Sequence, residues 1–519
     1  MKRRPGLWYL FGSAALLLAA ILCYVLHDTT VEIEEPLTVH RLARVSPDYS
    51  GVVIPPNIAP LNFVVTERGE KYHVNISAPH GETIDLLSSS PRVVIPMAKW
   101  KRLLQANRGG SLMVHVHVKD RDGRWTAFEP IVNTIASEDV DRFLVYRVLH
   151  KFNMVQEDIG IHQRDLENFD ESLLMHSKSI HNGCMNCHTF SRNSPSNMVM
   201  HVRTAGGGML LIRDGSITKV DTRTEFNSTP AKYISLHPSG KLAAFSTNDL
   251  TQFFHALGER LDVFEVKSDL ALYLFDTNTV TTTPDISRSD RHETWPSWSP
   301  DGRYLYFSSA PALPTLRWKD VRYDLMRISY DVEKDAWGKP ETVLSAGETG
   351  LSITQPRISP DGRFLLLCMS EWGSFPVWQE SADLYLMDLK TGKYNRLAIN
   401  SDHSDSWHSW SKNSRWIVFS SRRPDGALAR PYFSHIDETG AASKPLVLPQ
   451  KDPAFYDSFL KTYNLPEFVT ERVPFTQREL VGVVRSAPVL KAKLDPRVKP
   501  PVKVEPPVEE SQPKASHIE

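Results

Sequence analysis

A four-part repeat runs through the second half of this 519-residue chain. Its units are YISLHPSGKLAAFSTN, WPSWSPDGRYLYFSSA, TQPRISPDGRFLLLCMS and SWHSWSKNSRWIVFSSR. Each reads as a strand, a four-residue turn and a second strand. The turn is Ser-Pro-Asp-Gly twice, with His-Pro-Ser-Gly and Ser-Lys-Asn-Ser as variants. Proline suits the first corner of a type I turn, and Asp, Asn and Gly suit the remaining positions. A second alternating pair follows each unit, for example LALYLFDTNTVTTT and ADLYLMDLKTGKYNRLAI. Matching turns recur at Pro238, Pro300, Pro360 and Lys412. Four strands per period at this spacing mark a β-propeller. MVMHVRTAGGGMLLIRDGSITKVDT adds strands ahead of the first clear unit. Five blades are counted, six if one is degenerate. Gly206 to Gly208 form no phosphate loop, because the Lys and Ser/Thr of such loops are missing and strands follow.

The N-terminus places Lys2, Arg3 and Arg4 before an uncharged run from Pro5 to Leu26, long enough to cross a bilayer. A cleaved signal would show a shorter apolar core and a small-x-small site. Cys23 follows Leu22, so the small residue expected before a lipidated cysteine is missing. Residues 1–27 therefore read as an uncleaved anchor. The basic end stays in the cytoplasm, and the bulk is expected in the periplasm of a bacterial inner-membrane protein. Charge is balanced, with 60 Lys+Arg against 61 Asp+Glu, which argues against a nucleic-acid partner. The sequons at Asn75 and Asn227 are read as accidental in such a chain.

Residues 28–45 read as a linker. Segments such as LNFVVTERGEKYHVNISA and SLMVHVHVKDRDGRWTAF alternate with period two between turn signals, so 46–135 is expected to be a small β-sandwich. Val140, Phe143, Leu144 and Val148 fall on one face of a helix, with Ser137, Asp139 and Asp141 near its start. Residues 136–194 are thus expected to be helices and loops, 195–450 the propeller, and 451–488 its closure. The tail 489–519, rich in Pro, Lys, Val and Glu, is expected to be disordered. The fold class is mainly β.

Inside the 136–194 segment stands Cys184-Met185-Asn186-Cys187-His188. Cys-x-x-Cys-His is the attachment sequence of c-type haem. Two thiols bond the porphyrin vinyl groups, and the adjacent histidine ligates the iron. The anchor puts these residues on the exported side, where attachment happens. Met198, Met200 and His201 are candidates for the distal position, with Met175, His176, His181 and Met209 also within sequence reach. Core filling is the competing role of any one methionine. Zinc held by His176, His181, Cys184, Cys187 and His188 is the sharpest competitor, although no second close cysteine pair exists: the other two cysteines are Cys23 and Cys368. A Cys184–Cys187 disulfide is a third reading.

The SPDGRYLYFSS and SPDGRFLLL units resemble TolB-type propeller repeats over residues 195–450. VYRVLHKF, GIHQRDLENFDES, CMNCHTF, MVMHVR and DPAFYDSFLKTYNLPEF resemble bacterial exported proteins that join such a propeller to one c-type haem motif. The resemblance implies an architecture and assigns no activity. His292, Trp295, His403, Trp407 and His408 lie at or just before the first strands of their blades, where a binding funnel would form; blade packing is the competing role. The leading expectation is a membrane-anchored mono-haem cytochrome passing electrons to a redox protein or respiratory complex. The alternative is an envelope binding module with a structural or redox-sensing haem. A haem enzyme ranks last, because no Ser-His-Asp order, metal triad or second cofactor motif stands out.

Overall fold

The computed structural model describes residues 33, 35–150, 158–204, 206–254 and 261–499. The expected anchor lies outside them. Among the described residues no helix is long and apolar enough to cross a membrane.

Residues 37–135 form a seven-stranded and a three-stranded sheet, joined by the helix Met97–Ala106. Trp100, Leu103 and Leu104 of that helix are buried. The strand Leu37–Leu42 pairs in parallel with Trp125–Glu129. It belongs to the sheet, although the sequence places it in a linker.

The rest is a propeller of six blades, not five. Five four-strand blades start at Cys184–Ser191, Lys232–Leu236, Arg291–Trp298, Ser352–Ile358 and Asp405–Trp410. The sixth takes its inner strand, Lys461–Val469, from the C-terminal side. Its other three strands, Phe143–His150, Gly160–Asp165 and Glu171–His176, come from before the first blade. The six inner strands contact one another in sequence around the ring, the last touching the first. One blade built from both ends of the chain removes the free edges that an open ring would leave.

The sixth blade corrects the helix expected near residue 140. Leu144, Tyr146 and Val148 pack into the core shared with the N-terminal domain. Phe143, Val145 and Leu149 pack into the core against the first blade. A strand buried on both faces loses its polar alternation, and what remains imitates helical spacing. Residues 136–194 therefore hold strands where helices and loops are expected.

The tail adds short strands. Leu490–Lys491 pairs in parallel with the outer strand of the first blade and Lys493–Leu494 with that of the second. Order thus continues past residue 489.

Candidate functional site

Every inner strand carries one extra residue relative to its neighbour. The ladder steps from Lys232 to Ser235, Thr294 to Ser297, Thr354 to Arg357, Ser406 to Ser409 and Asn464 to Glu467, in each case against two steps on the partner. Such a bulge re-aims a side chain and is common beside functional sites. In these five strands a non-glycine residue turns left-handed: Tyr233, Trp295, Gln355, Trp407 and Leu465, with φ between 46° and 53°. That conformation costs about 1–3 kcal/mol per residue and persists only where packing holds it. The packing is on the propeller axis. Tyr233 stacks on Trp295 with ring centroids 3.8 Å apart, and Trp295 meets Trp407 edge-on at 5.0 Å. Leu465, Val377 and Phe375 complete the cluster.

In the first blade the extra residue is Cys187, between the pairs Asn186–His201 and His188–Met200. Its side chain is not among those described. The haem-like motif is thus part of the blade repeat. Cys187-His188-Thr189-Phe190-Ser191-Arg192-Asn193-Ser194 runs in register with Trp407-His408-Ser409-Trp410-Ser411-Lys412-Asn413-Ser414.

The two histidines also share their contacts. Nε2 of His188 lies 3.3 Å from the carbonyl of Val145, in the second strand of the sixth blade. Nε2 of His408 lies 3.2 Å from the carbonyl of Leu366, in the second strand of the fourth. Val145 pairs with Glu467 and Leu366 with Arg357, which hold the same place in their blades. Each histidine ties its blade to the preceding one. Both are buried, and each leaves Nδ1 without a hydrogen-bond partner among the described residues. Burial lowers the His188 pKa to about 4, with the Arg147 and Arg357 cations adding to it. Burial lowers that of His408 to about 3, helped by Arg357. Both rings are neutral at pH 7.

The space beside His188, as arranged, is too small for a c-type haem. Cross-strand partners share a face. Cys184 pairs with Arg203 and, beyond the bulge, His188 pairs with Met200 and shares its face. Cys184 itself packs against the core between the first and sixth blades that holds Met200. The axial cavity beside His188 holds about 50 Å³, against about 300–1,000 Å³ for sites that enclose small molecules and cofactors. Met198 and Met200 share one face, fully buried in the core between the first and sixth blades together with Met175. Met200 stands beside His188 on that face and not across a slot from it. His201 looks the other way, buried, with both ring nitrogens unpartnered among the described residues and a pKa lowered to about 3 by burial. Met209 is buried between the first and second blades. His176 bonds Asp158 at 3.0 Å, and His181 is exposed in a left-handed turn. Among the described residues no three His, Cys, Asp or Glu side chains are placed to hold a metal.

His188, Trp295, Trp407 and His408 thus meet at the axial cavity, with Tyr233, Gln355, Arg357, Leu465 and Glu467. His292 and His403 do not line it. His292 is buried in its blade, its pKa lowered to about 4 by burial. His403 sits ahead of its strand, close to Gly426. Sequence reading missed Tyr233, Gln355, Arg357, Leu465 and Glu467. The signal for them is the repeat column: Tyr-Ile-Ser, Trp-Pro-Ser, Gln-Pro-Arg, Trp-His-Ser and Leu-Pro-Glu.

A second chamber of about 420 Å³ lies on the same axis, toward the turns that end the inner strands. Arg357 and Glu467 line both chambers. They form an ion pair at 2.7 Å from the fourth blade to the sixth. Burial raises the Glu467 pKa and the Arg357 cation opposes it.

No protein-family model matches this chain, and no curated protein matches it. Solved structures do align with it. A Bacteroides uniformis protein described as a 6-phosphogluconolactonase has 11% identity and a TM-score of 0.32, covering 74% of this chain and 98% of that one. A chain of a nidogen/laminin complex has 6% identity and a TM-score of 0.36, covering 64% and 99%. The Dos1 propeller has 12% identity and a TM-score of 0.26, covering 45% and 66%. Likeness at this level carries no argument, and the propeller assignment rests on the chain's own six sheets.

Proposed function

We propose that this chain is a binding and interaction module of the cell envelope whose binding centre is the propeller axis. It is held at the inner membrane by the Pro5 to Leu26 run, with its bulk in the periplasm. The observation that carries the reading is the repeated bulge, which spends backbone strain in strand after strand to aim side chains at one place. Strain of this kind concentrates at ligand sites and active sites. The rigid blades and variable loops of a propeller suit recognition. Trp295 and Trp407 should report occupancy by their emission. Titrating the full chain with envelope fractions should shift that emission, and the shift should vanish in a variant carrying Trp295→Phe, Trp407→Phe, Trp298→Phe and Trp410→Phe, the tryptophans that line the two axial chambers. A shift that persists there moves binding off the axis; no shift with any fraction counts against the reading.

The second reading is a mono-haem c-type electron carrier with a redox protein or respiratory complex as partner. It is favoured by the Cys-x-x-Cys-His order in a chain with an export signal, and by a His188 imidazole kept neutral, the form that ligates iron. It requires the side chains around His188 to move apart when haem is attached, because the cavity there holds about 50 Å³. Haem colour retained on a denaturing gel, after expression in a host that matures haem c, would favour it over the first.

A further inference from the structure

The larger axial chamber has a lining that points to one class of ligand. Three cationic side chains, Arg192, Arg357 and Lys412, face it, against the single carboxylate of Glu467. Arg192 and Lys412 are exposed at its mouth. Arg357 lies at its floor, 37% exposed, beside a Glu467 only 9% exposed. Thr189, Ser297 and Ser409 place hydroxyls in the wall, and Ser409 donates to the Pro466 carbonyl, leaving its oxygen free to accept. Trp298 also lines the chamber; it is buried, and its indole N–H has no hydrogen-bond partner among the described residues. The volume of about 420 Å³ falls in the range of small-molecule sites, about 300–1,000 Å³.

We propose that this chamber binds a small hydroxylated carboxylic acid of sugar-acid size, whose carboxylate takes Arg357 from Glu467. The proposal rests on the axial-binding reading and names its ligand. Arginine presents a planar fork matched to a carboxylate. Glu467 already fills that role, so the site carries an internal copy of the group it would recognise. The ligand's hydroxyls meet the Thr and Ser ring, and Arg192 and Lys412 draw the anion to the mouth by long-range attraction. Because ligand and Glu467 compete for one guanidinium, removing the carboxylate of Glu467 has a sign that a merely structural role would not give.

The test is calorimetric titration of the full chain in detergent with galacturonate, galactose and inorganic phosphate. Galacturonate should bind, with galactose and phosphate each at least roughly tenfold weaker. Arg357→Gln should weaken galacturonate by at least roughly tenfold, and Glu467→Gln should tighten it. Should Arg357→Gln melt early, because it leaves Glu467 buried without its cation, Glu467→Gln decides the matter. Galactose binding as well as galacturonate, phosphate binding as well or better, or Glu467→Gln weakening or not changing affinity would overturn the proposal. So would the absence of binding by all three probes. A neutral ligand that shifts Trp295 and Trp407 emission, with galacturonate inert, would refute the ligand class and leave the axial reading standing.

Discussion

At the scale of single residues, the pair His188 and His408 organises the axis. Both hold their folded pKa below the ordinary value of about 6.5, at about 4 and about 3. The unfolded chain therefore takes up protons first as pH falls. Stability from these two groups is complete above about pH 6.5 and declines as the pH drops toward 4. Urea midpoints measured from pH 7.5 to 4.5 should fall with pH, and the fall should be shallower in a His188→Gln, His408→Gln double variant. An unchanged slope would mean that these rings are not held neutral. Each single His→Ala change should cost about 1–3 kcal/mol, because the carbonyl it leaves is buried. Near-equal costs at the two positions are the mark of a shared tether. The histidine of the motif was legible in the sequence as a chemical group. Its equivalence with His408 was not, because Cys187 hides the column that Trp407 makes obvious elsewhere.

Among the elements, the inner strand Lys461–Val469 matters most to closure. It pairs with Phe143–His150 and lies against Cys184–Ser191 and Asp405–Trp410. Ending the chain after residue 460 would remove it. The strand Phe143–His150 would then present an unpaired edge with both faces apolar, a template for aggregation. Expression of this truncation should give insoluble protein. A soluble, cooperatively melting 1–460 chain would show that the ring does not close through this blade. The four regular blades were readable because their turns repeat. The sixth was not: its strands stand apart in sequence, and burial on both faces removes the alternation that reveals a strand. The first blade was masked in another way, since a chemical motif occupies its inner strand and draws attention from its register.

For the molecule as a whole, the axis joins two chambers separated by the Arg357–Glu467 pair, with the N-terminal domain packed on the fifth and sixth blades through a common core. If the Pro5 to Leu26 run anchors the chain, cell fractionation should place it with membranes, and residues beyond 45 should be open to protease from the periplasmic side. Mature chain free in the soluble periplasm would contradict that. The axial residues were half legible: Trp295, Trp407 and His408 announced themselves by type, whereas Gln355, Leu465 and Glu467 are ordinary residues given importance by a bulge. That the Cys184–Ser191 strand is a blade wall of a haem-free binding propeller is open to direct test. Its most direct measurement is the intact mass of the full chain purified from a host that matures haem c. The expected result is the mass of the unmodified polypeptide, folded and colourless. A mass increased by one covalent haem, with the colour lost on Cys184→Ala or Cys187→Ala, would contradict it and establish the electron carrier instead.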